Sequence, residues 1–296
     1  MIICNHINVK DDWLLDGLRP VVEIMSQVEA SSDSEVIIDF ADTHFVTPVF
    51  ALSLIVYLTR CGRHIMFQNV TDYLRLIGFS DGGIKPDQMR QTEFLATMEK
   101  YASKTYVPVI DFAADRNSDA KEAVSSLVEN VIIRQLNIKS NVANGFKYMV
   151  DEMLDNITEH SESDRGYIFA QAYLTKGFLD VCIADRGVTL LGSYQKLVDN
   201  EISTDMEAIK AANRGISSKN LPDAENRGYG IRTSKGMLVD GLGGQYMMLS
   251  GSGLYFKRPG YDSFFRMPEG FRWNGTIVAM RIPYQSPQFN YIHYIE

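Results

Sequence analysis

The chain has 296 residues, 45% of them hydrophobic and 22% charged, with a formal net charge of −8. That length accommodates two ordinary domains with cores of their own, and net acidity without a basic-aromatic cluster argues against a dedicated nucleic-acid binder. The longest apolar stretch, 49–58, is about half of a membrane span, and Cys4, Cys61 and Cys182 are too scattered for a metal cluster or a disulfide framework.

The start, MIICNHINVKDDW, lacks the charged-then-apolar pattern of a signal segment, so a cytoplasmic protein without membrane contact is expected. The first half reads as a strand over 35–40, a helix over 49–61, a strand over 64–69 and a short helix over 71–78. This alternation implies parallel strands with helices packed on them. The helix over 49–61 is apolar nearly all round and should be buried. A glycine-rich loop at 81–86 precedes a polar helix reaching about Lys104, and an apolar strand over 106–112 opens a second domain. The expected division is therefore 1–103 and 104–296.

In the second domain, Val124, Leu127, Val128, Val131 and Ile132 recur at helical spacing. A second helix follows, with Val142, Phe146, Met149, Val150, Met153 and Ile157 on one stripe and Gly145, Glu152 and Asn156 along its edge. Strands over 167–175, 178–184, 244–249, 253–256 and 276–282 are separated in several places by short turns. The fold class expected is α/β, in the sense of an α+β sandwich: a mixed sheet covered by helices on one face, preceded by a small α/β domain.

Four segments carry chemistry. In FKYMVDEMLDNITEHS, Glu152 and Asn156 share one helix face, setting a proton acceptor one turn from a neutral oxygen. A Mg²⁺ ion carrying phosphates needs about that, because it takes few protein ligands and keeps several waters. IADRGV runs an apolar strand into Asp185 and Gly187, a carboxylate that can accept from an amino group beside a residue without Cβ. NRGYGI places Gly228 and Gly230 at a helix start, where free backbone N–H groups favour phosphate. NGTIV sets Thr276 at the start of the last strand. Lys210, Arg214, Lys219, Arg227, Arg232 and Lys235 fall in one span against only Asp223 and Glu225, and 190–227 has the Gly/Ser/Asn content of a mobile lid.

In that order and spacing the four segments resemble the Bergerat-fold ATP-binding domain of DNA gyrase B, heat-shock chaperones, mismatch-repair ATPases, sensor histidine kinases and anti-sigma-factor kinases, over roughly 104–285. The resemblance implies ATP and Mg²⁺ as cofactors. It makes Glu152 the general base or water-orienting carboxylate and Asn156 the Mg²⁺ ligand. Asp185 would accept from the adenine amino group, Gly187 would let the base approach, and Arg227, Gly228 and Gly230 would line the phosphates. Thr276 would support Asp185 and a water near adenine. The family usually has a second glycine two positions after the Asp-x-Gly glycine, where this chain has Thr189. His160 matches a histidine of that family whose role is structural. A full sensor kinase is not expected, because no histidine lies between His64 and His160 to carry phosphate.

VIIDFADTHFVTPVFALSLIVYL resembles the core of a STAS domain, the module of anti-sigma-factor antagonists, over roughly 30–80. Pro48 stands at the usual phosphoacceptor and has no hydroxyl, so phosphorylation does not carry over, and Thr47 is only its neighbour. The two resemblances together imply a regulator of an unidentified protein partner that acts as a slow ATPase or a serine/threonine protein kinase of the anti-sigma-kinase type. The alternative is a nucleotide-gated protein-binding module without significant turnover.

Overall fold

The computed structural model describes residues 2–115, 120–136, 138, 140–197, 201–218, 229–284 and 289–295. In chain order the elements are β1 (Ile2–Cys4), α1 (Leu18–Ala30), β2 (Glu35–Asp39), α2 (Pro48–Leu58), β3 (His64–Gln68), α3 (Asp72–Leu76), α4 (Gln91–Glu99) and β4 (Tyr106–Ala113). There follow α5 (Ala120–Leu136), α6 (Ser140–His160), β5 (Arg165–Tyr173), β6 (Phe178–Asp185), α7 (Leu190–Tyr194), α8 (Asp205–Asn213) and α9 (Tyr229–Lys235), which runs on into a π-helical turn at Gly236–Gly241. The last strands are β7 (Gln245–Gly251), β8 (Gly253–Arg258), β9 (Tyr261–Arg266) and β10 (Trp273–Pro283).

Two sheets result. A three-stranded sheet in the order β1-β2-β3 is parallel, and a seven-stranded sheet runs in the order β4-β5-β6-β10-β7-β8-β9. The large sheet is not the expected mixed one, since each of its neighbouring pairs is antiparallel. The reason is connection length. Parallel neighbours need a crossover, which α1 and α2 supply to the small sheet, whereas turns such as that between β7 and β8 reverse the chain at once.

Coverage differs from expectation as well. Along β5 and β6 the side chains alternate between two cores. Ile168, Val181 and Ile183 join Phe146, Met149 and Met153 of α6 on one face. Tyr167, Phe169, Cys182 and Ala184 join Phe50, Leu54 and the rest of α2 on the other. The large sheet is therefore buried on both faces, and α2 lies between the two sheets with every residue buried except Tyr57. An all-round apolar helix has no solvent face, so only a position between two layers removes all of its surface from water. Each large side chain so placed contributes roughly 1.5–3 kcal/mol.

The start of α2 is well set. Thr47 caps it, its hydroxyl accepting from the Phe50 N–H at 3.2 Å, and Pro48 takes the first helical position where no N–H is needed. Helix α1 adds to the expected elements, and its buried Leu18, Val21, Ile24, Met25 and Val28 recur at helical spacing. β1, β9, α7 and α8 were likewise outside the sequence reading. Among the described residues, no helix is long and apolar enough to cross a membrane.

Candidate functional site

A pocket of about 1080 Å³, its open mouth included, lies between α6, the end of β6, α7, the end of α8, the start of α9 and the first residues of β10. It gathers Glu152 and Asn156 from α6, Asp185 from β6, Gly230 from α9 and Thr276 from β10. Five of the sequence candidates thus meet across 125 positions of chain. Arg227 and Gly228 lie outside the described residues.

Asp185 forms one end. It is the last residue of β6 and buried, with Oδ1 accepting from the Gly187 N–H at 2.8 Å and Oδ2 from the Thr276 N–H at 3.2 Å. Burial pushes its carboxyl up to about 7, against the pull of those two N–H donors and of the Arg60 charge. Gly275 makes the approach possible. Its φ is +92°, and a Cβ there would overlap the Asp185 backbone carbonyl. The Thr276 hydroxyl lies 3.2 Å from Ser250 Oγ, which donates to the Gly275 carbonyl at 2.9 Å and accepts from the Leu190 N–H at 3.0 Å. Ser250 was missed by the sequence reading, because a serine in a strand carries no local signal of such a role.

Gly187 sits beside the pocket and does not line it. A Cβ there would overlap the Ser161 carbonyl, the oxygen that also accepts from the Val188 N–H at 2.7 Å, so the glycine serves the packing of two loops. Thr189 explains the departure from the second-glycine pattern. It caps α7, its hydroxyl accepting from the Gly192 N–H at 3.1 Å, so a helix begins directly after the Asp-x-Gly segment.

Glu152 forms the other end. Its half-buried carboxyl is raised by desolvation, countered by the neighbouring Tyr148 phenol and reinforced by like charge on Asp155, Glu159 and Asp151. A Cβ on Gly230 would overlap Glu152 Oε2, so the start of α9 rests directly on the carboxylate. One turn on, Asn156 Nδ2 donates to the Glu152 backbone carbonyl at 2.8 Å, which leaves Oδ1 as its free acceptor.

The basic span does not act as expected among the described residues. None of Lys210, Arg214, Arg232 and Lys235 lines the pocket. Lys210 lies 5.4 Å above the Phe264 ring, and Lys235 lies 5.2 Å above Tyr255 while donating to the Asn213 carbonyl at 2.9 Å. Burial lowers the Lys235 amine to about 8. Lys219 and Arg227 fall outside the described residues. The described wall is acidic instead, carrying Glu152, Asp155, Glu159 and Asp185. Among the described residues, no group of three or more His, Cys, Asp or Glu is disposed to hold a metal ion.

Compared with known proteins, the chain matches no family model, and no curated protein matches it. The chemistry of the pocket is therefore the ground for any functional reading.

Proposed function

We propose that this chain is an ATP-binding, Mg²⁺-dependent regulatory protein of the cytoplasm, with a STAS-like module over 1–103 and a Bergerat-type nucleotide domain over 104–296. One observation carries the reading: four separated segments of sequence deliver a buried carboxylate, a helix carboxylate with a carboxamide one turn away, a glycine at a helix start and a backbone-donating threonine to one pocket. The pocket's floor includes apolar Met153, Ile183, Met248 and Val278 suited to a flat base.

In this reading Asp185 accepts from the adenine amino group. Its two lone-pair positions facing the backbone are already used, which aims the remaining ones at the ligand. A polyphosphate meeting the three α6 carboxylates, Glu152, Asp155 and Glu159, requires a cation. The donor set suits Mg²⁺: Asn156 Oδ1 is free, and this ion takes one or two protein oxygens and completes its shell with phosphate and water. Bound there, Mg²⁺ would neutralise phosphate charge. Glu152, made more basic by burial, would hold or take the proton of an attacking water or hydroxyl.

The gated-module alternative draws on the contact between Gly230 and Glu152, because the start of α9 rests against one oxygen of the carboxylate and so restricts access to it. Calorimetry with Mg-ATP beside an assay for ADP release tests both. Binding with ADP release supports an enzyme, binding without it supports the gated module, and no binding removes the proposal.

A further inference from the structure

Besides packing α2 on β6, the amino-terminal module hydrogen-bonds to the loop beside the pocket through Arg60. Arg60 follows the end of α2, and its guanidinium Nη1 donates to the backbone carbonyl of Arg186, the residue between Asp185 and Gly187. Arg186 is held on its other side, where Nε and Nη2 donate to Asp164 at 3.1 and 2.7 Å. The loop from Asp185 to Thr189 is thus fixed by Asp164 and Ser161 from the large domain and by Arg60 from α2. Because α2 is wedged between the two sheets, its carboxy-terminal end cannot shift without moving this donor.

We propose that Arg60 is a positioning residue through which the amino-terminal module sets the conformation of the Asp185–Gly187 loop and hence the affinity of the pocket. Arg60 does not line the pocket and its contact is with a carbonyl in the loop, so it acts through Asp185. The charged groups around Asp185 are Glu152, Asp155 and Glu159 from α6, lining the same pocket, Arg186 with Asp164 beside the loop, and Arg60 from α2. Arg60 is the cation of that set whose removal leaves the Arg186–Asp164 pair intact. Its charge favours ionised Asp185. The guanidinium is exposed, so water screens the effect and keeps it modest.

The nature of the ligand rests on the nucleotide reading above, but the coupling does not. The test uses the full chain with Arg60→Met, which keeps the aliphatic stem and removes donor and charge, and Arg60→Lys, which restores the charge. Carbon-detected NMR follows the Asp185 carboxyl and the amides of 186–188 from pH 5 to 9, and adenosine, which does not titrate there, serves as the binding probe. Arg60→Met is expected to raise the Asp185 midpoint by about half a unit, to move the 186–188 amides, and to weaken adenosine about twofold at pH 7. Arg60→Lys should return the midpoint towards wild type. An unchanged midpoint and unchanged amides in Arg60→Met would overturn the proposal. Failure of adenosine to bind wild type, with the midpoint still shifting, would count against the nucleotide reading alone and leave the coupling supported.

Discussion

The two ends of the pocket are both built on a carboxylate, yet they are held in opposite ways. Asp185 is fixed by two backbone N–H groups and a glycine in a left-handed conformation, all on strands or on turns that continue them. Glu152 is steadied by the Tyr148 phenol, and the start of α9 rests on it through a single missing Cβ. Backbone donors do not move unless the sheet does, whereas a helix start can slide. The Asp185 end is therefore rigid, and the geometry of the Glu152 end is conditional on where α9 lies.

The largest expected effect breaks the rigid end. Gly275→Val would place a branched side chain at φ +92° and against the Asp185 carbonyl, and strain with overlap should cost about 3 kcal/mol or more. Thermal melting should fall by roughly 10 °C, with ligand binding lost. Survival of the wild-type melting temperature would show that the turn relaxes and that the Asp185 end is not rigid.

The next effects are on binding. Asn156→Ala should weaken Mg-ATP by an order of magnitude or more and leave melting nearly unchanged, since the side chain is half-buried and bonds only within its own helix. Equal Mg-ATP affinity by calorimetry would take Asn156 out of the site. At the other end, an amino donor needs ionised Asp185, so adenosine affinity should fall as pH drops through about 7, by about tenfold between pH 8 and 6. The sign for stability is opposite. The folded carboxyl binds its proton more tightly than the unfolded one, so its favourable contribution is full below about pH 4 and is lost as pH rises through about 7. Asp185→Asn should flatten both dependences in calorimetry and in melts across that window.

Smaller effects sharpen the contrast. Thr189→Ala removes the cap of α7 and should cost about 1 kcal/mol in chemical denaturation. Gly230→Ala should be milder in stability, below about 1 kcal/mol, because the atom it meets is the far end of a flexible side chain and alanine favours the helix. It should reduce ADP release more than it reduces Mg-ATP affinity. An equal loss of both would mean that the start of α9 contributes to binding and not to the placing of Glu152.

Much of the secondary structure was legible, because periodicity alone places a strand or a helix. The strands at 35–39, 64–68 and 178–185 lie within a residue or two of their expected bounds, and α5 at 120–136 spans the residues that recur at helical spacing. Helix α6 extends six residues further back than the segment singled out for its Glu and Asn. Short elements escaped: α7 depends on a single threonine cap, and β9 alternates polar and aromatic residues at the large sheet's exposed edge.

By itself the sequence determined which residues could face a common site, since helical and strand periods put Glu152 with Asn156 and end an apolar strand at Asp185. It also determined that α2 had to be buried on all sides. Tertiary structure alone decided what buries α2, that the large sheet is antiparallel throughout, and that Gly187 faces a neighbouring loop while Gly230 faces a carboxylate. It also decided that four of the span's six basic residues stay off the pocket wall. The physical reason is range. Backbone periodicity acts over a turn or a pleat, while the partner of a missing Cβ or of a charge is chosen by contacts between segments tens of residues apart, which no local pattern records.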